Sequence, residues 1–223
     1  MYKPSELQAL IIREERPLPV GSRAQSKERN RQKILDSAMT LFRERGYEAA
    51  TLRDIARGAG LSTGALFANF NDKTEIFLTV IEEENARVIQ TMIDAHDPSL
   101  PLVERLHKQL VRGFEAARAN ARLILSAFVM RWSQNDAGLT EVARLSDLVR
   151  IALAETLQAA LARQELPQHA RIDCAAEMLE DLCFANLRRA FAGIERPETA
   201  DIGAMSERLS VQISLLVAGL KAI

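Results

Sequence analysis

Along most of this chain, apolar residues return every three or four positions, and strand-like alternation is nearly absent. In the first such stretch Ile34, Leu35, Ala38, Leu41 and Phe42 fall at i, i+1, i+4, i+7 and i+8, one face of a helix. The pattern predicts a helix over 26–45, closed by Gly46 in the position where glycine commonly ends helices. Thr51 stands before the next run with Asp54 three residues on, an N-cap arrangement, so a short helix is expected over 52–58 with Leu52, Ile55 and Ala56 inward. Ser62 caps another over 62–68, and Asn71-Asp72 caps a longer one from Lys73 towards His96. The stretch "HDPSLP" breaks the chain with two prolines. Five more helices are expected over 102–118, 121–134, 139–164, 172–192 and 203–221. The expected fold class is therefore all-α, three N-terminal helices followed by six.

Charge divides the chain more sharply than its net value of −1 implies. Residues 21–73 carry ten Lys/Arg against six Asp/Glu, and residues 74–223 carry sixteen against twenty-one. A basic module on an acidic body suggests contact with a polyanion, although solvated helix faces account for the split equally well. The change of sign falls inside the helix beginning near Lys73, which implies a rigid connection. Three regions are expected: an extension at 1–21, a module at 22–73 and a helical body at 74–223. The apolar run Leu10-Ile11-Ile12 is too short for a signal peptide and reads as a patch docking on the body or a partner. No stretch is long and apolar enough to span a bilayer, so no membrane partner is expected. Cys174 and Cys183 lie nine residues apart on one expected helix, about 180° apart in azimuth and roughly 13 Å along the axis, too far to bridge. The lack of a disulfide framework points to a reducing cytoplasm, with buried apolar cysteine favoured over a thiol sensor.

The densest chemistry lies in "GAGLSTGALFANF", residues 58–70, with three glycines in seven positions. A phosphate-binding P-loop needs Lys and then Ser/Thr after its last glycine, and here Ala65-Leu66 follow Gly64. A dinucleotide fingerprint needs a preceding strand, and an amphipathic helix precedes Gly58. Two short helices around a turn at Gly60 make a helix-turn-helix instead. Leu61, Leu66 and Phe70 fill its core, leaving Ser62, Thr63, Gly64 and Ala65 at the exposed start of the second helix, where this motif meets base edges. Thr63 offers a hydroxyl and a methyl to bases, and small neighbours let the backbone come close. Gly58 reads as no more than the close of the first short helix.

Residues 29–83 resemble the DNA-binding domain of the TetR (tetracycline repressor) family of bacterial transcription regulators. Ile34-Leu35, Leu41-Phe42, Gly46-Tyr47, Thr51, Asp54-Ile55-Ala56, Ala59-Gly60-Leu61-Ser62, Gly64, Leu66, Phe70 and Lys73 carry the likeness. The resemblance implies that Thr51 and Lys73 bind DNA phosphate and that Ser62, Thr63 and Gly64 contact DNA from the recognition helix. The family favours Tyr where this chain has Phe67 and His where it has Asn69, so these two positions mark a different operator preference. Phe67 can still contact sugar or a thymine methyl, and Asn69 can bond phosphate or adenine.

The resemblance also implies a body for dimerisation and effector sensing. Leu179, Leu182, Cys183 and Asn186 form one stripe and Leu209, Ile213, Leu216 and Leu220 another, which would pair in a four-helix homodimer interface. Packing on the chain's own core is the other use of such stripes. Phe114, Ile124, Phe128 and Trp132, with Arg118 and Arg131, could line an effector pocket, though ordinary core and solvated arginines explain them as readily. His96, His107 and His169 are widely spaced and form no catalytic or metal pair, so neither catalysis, a metal nor a cofactor is expected. The expected function is a cytoplasmic, homodimeric regulator, most simply a repressor, released from a pseudo-palindromic double-stranded DNA operator by a small-molecule effector. The alternative is a helical adaptor whose helix-turn-helix binds protein.

Overall fold

A computed structural model of the chain describes residues 22–133, 139–191, 193 and 200–222, with side chains described outside Ser22 and residues 128–146. Among the described residues the regular structure is helical: α1 Ser22–Ala49, α2 Leu52–Gly58, α3 Thr63–Phe67, α4 Lys73–Asp94, α5 Leu102–Ala117, α6 Ala121–Ser133, α7 Leu139–Ala162, α8 Ile172–Phe191 and α9 Ile202–Ala222. A single 3-10 turn, Arg118–Asn120, joins α5 to α6. Packing divides the described residues into two compact units, those within 22–85 and 120–142, and those within 86–119 and 143–222. The expected boundary after residue 73 is thus not where packing changes; α4 contributes residues to both units, and α6 belongs to the first.

In the first unit, Ile34, Leu35, Ala38 and Phe42 of α1 are buried with Ile55, Leu66, Phe70, Ile76 and Phe77. Leu41, expected on the same face, is only half-buried. α1 begins four residues earlier than its apolar pattern, because the basic, apolar-poor turn before Ser26 carries no core signal. Gly46 has φ 79° and ψ 170°, a region open essentially to glycine, so the regular helix stops there as expected. Tyr47 then folds back: its ring lies 4.6 Å from Phe77 and 5.8 Å from Phe42, and its hydroxyl is 3.0 Å from Thr74 Oγ1. Arg122 of α6 donates to the Glu44 carbonyl at 2.6 Å, satisfying one of the acceptors left at the end of α1.

Gly58 does more than close α2. A Cβ there would stand 2.3 Å from Ser37 Oγ, which donates to the Ile55 carbonyl at 2.9 Å. This glycine lets α2 lie against α1, a requirement of packing invisible in local sequence.

The second unit buries Leu102, Leu106, Leu110 and Phe114 of α5 with Leu153 and Leu157 of α7, Leu179 of α8, and Leu209 and Ile213 of α9. It also encloses polar groups. Arg105 is 1% exposed and is held at 2.7 and 2.8 Å by both carboxylate oxygens of Glu165 and at 3.1 Å by the Leu100 carbonyl. Thr156 donates to Gln109 Oε1 at 2.9 Å, beside His96, whose pKa is lowered by desolvation and by the nearby Arg105 and Arg163 cations. His107 Nε2 lies 2.9 Å from Ser206 Oγ, so it ties α5 to α9 rather than facing water as a free polar group. The cysteines depart from expectation in one respect: Cys174 is exposed. Cys183 is half-buried, and desolvation, with the Glu180 carboxylate beside it, pushes its thiol pKa up.

Candidate nucleic-acid interface

The interface is built from two capped short helices. Thr51 Oγ1 accepts from the Asp54 backbone N–H at 3.2 Å and donates to Asp54 Oδ2 at 2.7 Å. That hydroxyl bond and the neighbouring Arg57 hold the Asp54 carboxyl below its ordinary pKa. Ser62 Oγ accepts from the Ala65 N–H at 3.1 Å. Each cap answers one of the donors that a helix start leaves unpaired. Between them Gly60 takes φ 67°, and the Leu61 N–H returns to the Ala56 carbonyl at 2.9 Å, which fixes the turn.

α3 therefore has two sides. Leu66 and Phe70 are buried against α1 and α2. Thr63, Gly64 and Phe67, at i, i+1 and i+4, are exposed, Phe67 at 52%. A Cβ on Gly64 would find nothing nearer than Ser62 Oγ at 3.9 Å, so this glycine leaves open space on the outer face. An exposed phenylalanine beside an open glycine and a threonine is a surface with apolar, hydroxyl and backbone groups on offer together.

Two residues expected at the interface are engaged inside the protein. Lys73 Nζ donates to the carbonyls of Tyr47, Ala50 and Glu48 at 2.9, 3.1 and 3.4 Å and sits 4.2 Å from the Tyr47 ring centroid. Its three donors are all committed to carbonyls beyond Gly46, those of Tyr47 and Glu48 in the last turn of α1 and of Ala50 just after it. Replacing it by Met is expected to lower the unfolding free energy by about 1–3 kcal/mol, the cost of leaving part-buried carbonyls unpaired. Chemical denaturation monitored by far-UV circular dichroism measures this, and an unchanged midpoint would show the contacts to be dispensable. Asn69 Nδ2 donates to the Ala65 carbonyl at 2.8 Å, while its Oδ1 is buried with no partner among the described residues. Its amide is fixed against α3 instead of projecting from it. Ala65 is half-buried on that same flank.

The residues suggested for the body fare unevenly. Phe114 is core in one unit and Arg118 is half-buried in the 3-10 turn beside it, whereas Ile124 belongs to the other unit. The side chains of Phe128, Arg131 and Trp132 lie outside the described residues. Of the suggested interface stripes, Leu179, Asn186, Leu209, Ile213 and Leu216 are buried within their own unit, so those positions are core. Leu182, Cys183 and Leu220 are half-buried. The apolar residues that α8 and α9 do expose are others: Met178 at 50%, Val211 at 60% and Leu215 at 69%. Their signal was a second apolar row, one helical step from the row that the core takes.

Two capped short helices, a glycine turn and an exposed second helix define a helix-turn-helix module. Residues 34–80 match the family described as bacterial regulatory proteins, tetR family. The chain is 43% identical over 63 residues to the HTH-type transcriptional repressor AcnR of Corynebacterium efficiens, covering 28% of this chain and 34% of that protein. It is 35% identical over 80 residues to the HTH-type transcriptional regulator AcrR of Shigella flexneri, covering 35% of this chain and 37% of that one. The likeness thus spans about a third of the length of these curated relatives. Solved structures share the fold more widely. A transcriptional regulator from Rhodococcus sp. Rha1 superposes with a TM-score of 0.70 at 17% identity, covering 86% of this chain and 98% of that one. FadR from Bacillus subtilis, in complex with stearoyl-CoA, gives 0.67 at 19%, covering 84% and 98%.

Proposed function

We propose that the protein is a sequence-specific, DNA-binding transcriptional regulator of the cytoplasm, acting as a homodimer and released from its operator by a small-molecule effector. The observation that carries the DNA reading is the outer face of α3, where Thr63, Gly64 and Phe67 stand exposed while Thr51 and Ser62 cap the two helices around them. The first residues of such a helix reach base edges in the major groove, and the open space at Gly64 admits the groove wall. Thr51 lies at a helix start, and it would bind phosphate there by exchanging the hydroxyl bond that it makes to Asp54 Oδ2. The repressor named among the relatives favours repression as the mode of action.

The dimer reading is supported by the exposed Met178 of α8 and the exposed apolar row of Val211 and Leu215 on α9, and it gives two recognition helices spaced for half-sites about 34–36 Å apart. An effector in the body would act as a population shift between two such spacings, with α4, which contributes to both compact units, as the element that carries it. A structural neighbour of the same fold, FadR, is solved in complex with stearoyl-CoA, which supports a small-molecule effector for this fold.

Selection from a random duplex library tests the reading. A preferred, pseudo-palindromic sequence is expected; binding no better than bulk DNA at physiological salt would favour a protein-binding adaptor. On the selected operator Phe67→Ala and Thr63→Ala should each cost about 1–3 kcal/mol, a loss of about fivefold to 150-fold, with little change on non-specific DNA. Equal loss on all sequences would remove these residues from base recognition.

A further inference from the structure

The flank of α3 turned away from Thr63 and Phe67 borders a cleft of about 440 Å³, lined by Arg23, Ser26, Lys27 and Asn30 of α1 and by Ala65, Ala68 and Asn69. Arg23, Lys27 and Asn30 lie at i, i+4 and i+7, one stripe of α1. The next residue of that stripe, Arg31, is fixed: its guanidinium lies 4.2 Å from the Phe70 ring centroid and Nη1 reaches the Asn69 carbonyl at 3.5 Å. On the opposite wall Ala65, Ala68 and Asn69 lie at i, i+3 and i+4, and the small alanines keep the cleft open while the Asn69 amide is anchored to Ala65. Arg23 and Lys27 are exposed at its mouth, and no carboxylate is among the lining residues.

Geometry says what meets this cleft when α3 is docked. The major groove is about 12 Å wide and a helix with its side chains about 10–12 Å, so a helix filling the groove presses its flanks towards the phosphates of the bordering strands. The expected phosphate-binding Lys73 has its donors committed inside the protein, so that charge must come from elsewhere.

Resting on the DNA reading above, we propose that the α1–α3 cleft seats the sugar-phosphate backbone of the strand bordering the bound groove, with Arg23 and Lys27 neutralising its phosphates and Asn30 as a neutral donor. These residues position the recognition helix and carry no base preference. Phosphate charge thereby enters from the N-terminal half of α1, on the flank of α3, and not from the start of α4.

The test is the salt dependence of operator binding by fluorescence anisotropy, using the selected duplex and the full-length protein. Each phosphate neutralised contributes about 0.9 to the slope of log K against log salt. Arg23→Gln/Lys27→Gln removes two phosphate contacts from each protomer, so for the homodimer on its operator it is expected to make that slope shallower by about 3.6, to weaken all sequences alike and to leave their ranking unchanged. The charge-preserving Arg23→Lys/Lys27→Arg pair should restore the wild-type slope, which a merely structural role would not require. A double Gln variant with the wild-type slope would overturn the assignment, as would a Lys73→Met variant showing the full loss of slope instead. If the wild-type chain selects no operator, the DNA reading itself has failed, and this inference with it.

Discussion

Removing the Glu165 carboxylate is expected to cost the protein about 3–5 kcal/mol of unfolding free energy, because it leaves a buried guanidinium unpaired. Arg105 is 1% exposed, and both oxygens of Glu165 grip its Nη2. Among the described residues the Leu100 carbonyl, 3.1 Å from Nη2, is its only other acceptor, and Nη1 is without a partner there. Glu165 itself keeps about a quarter of its side chain in solvent, 27%, so Glu165→Ala should fall at the lower end of the range. The double change Arg105→Met/Glu165→Leu should cost much less than either single change, since it removes the charge together with its partner and leaves an apolar core. Urea unfolding of the four proteins completes the cycle. Additive losses would mean that the pair does not act as a unit. The clamp has a structural purpose: it joins the loop before α5 to the turn after α7, where both helices begin or end and backbone carbonyls need donors.

Placing a charge on the exposed row of α9 is expected to separate the proposed homodimer. Val211 and Leu215 lie one turn apart, and Ala204, Ala218 and Ala222 continue the same side of the helix, all exposed in the single chain. In a twofold interface Leu215→Glu buries two like charges at once, with no partner for either. The dimer dissociation constant should rise at least about a hundred- to a thousandfold, the equivalent of roughly 3–4 kcal/mol. Sedimentation velocity at micromolar protein would then show a monomer for the variant and, on the dimer reading, a dimer for the wild type. Operator affinity would fall with it, because one recognition helix meets one half-site. Leu209→Ala serves as the contrast. It lies on the row first suggested for the interface, is fully buried in its own unit, and should cost about 2–5 kcal/mol of folding stability without selectively shifting the monomer–dimer equilibrium. If the Glu variant sediments as the wild type does, the exposed row is not the interface.

The two rows on α9 show why some features were legible and others were not. Periodicity marks which residues of a helix are apolar, and it marked Leu209, Ile213 and Leu216 correctly as inward-facing. It does not say whether inward means towards the chain's own core or towards a second copy, because both are dry and both select the same side chains. The distinction rests on which neighbours the fold supplies. Lys73 presents a similar case. The family resemblance implies a phosphate ligand at Lys73, whereas Gly46 turns the chain so that three carbonyls meet its ammonium. Gly58 appears as a helix end in sequence and proves to be a contact glycine, through Ser37, twenty-one positions earlier.

The sequence by itself determined the helices, their caps at Thr51 and Ser62, the stop at Gly46, the turn at Gly60 and the helix-turn-helix they compose, because each follows from interactions within a few residues along the chain. Tertiary structure alone decided which charges remain available at the surface, which apolar rows stay exposed, and that Arg105 is enclosed with Glu165, sixty positions away. These depend on which distant segments the fold brings within a few ångströms, and burial and pairing energies are set at that distance.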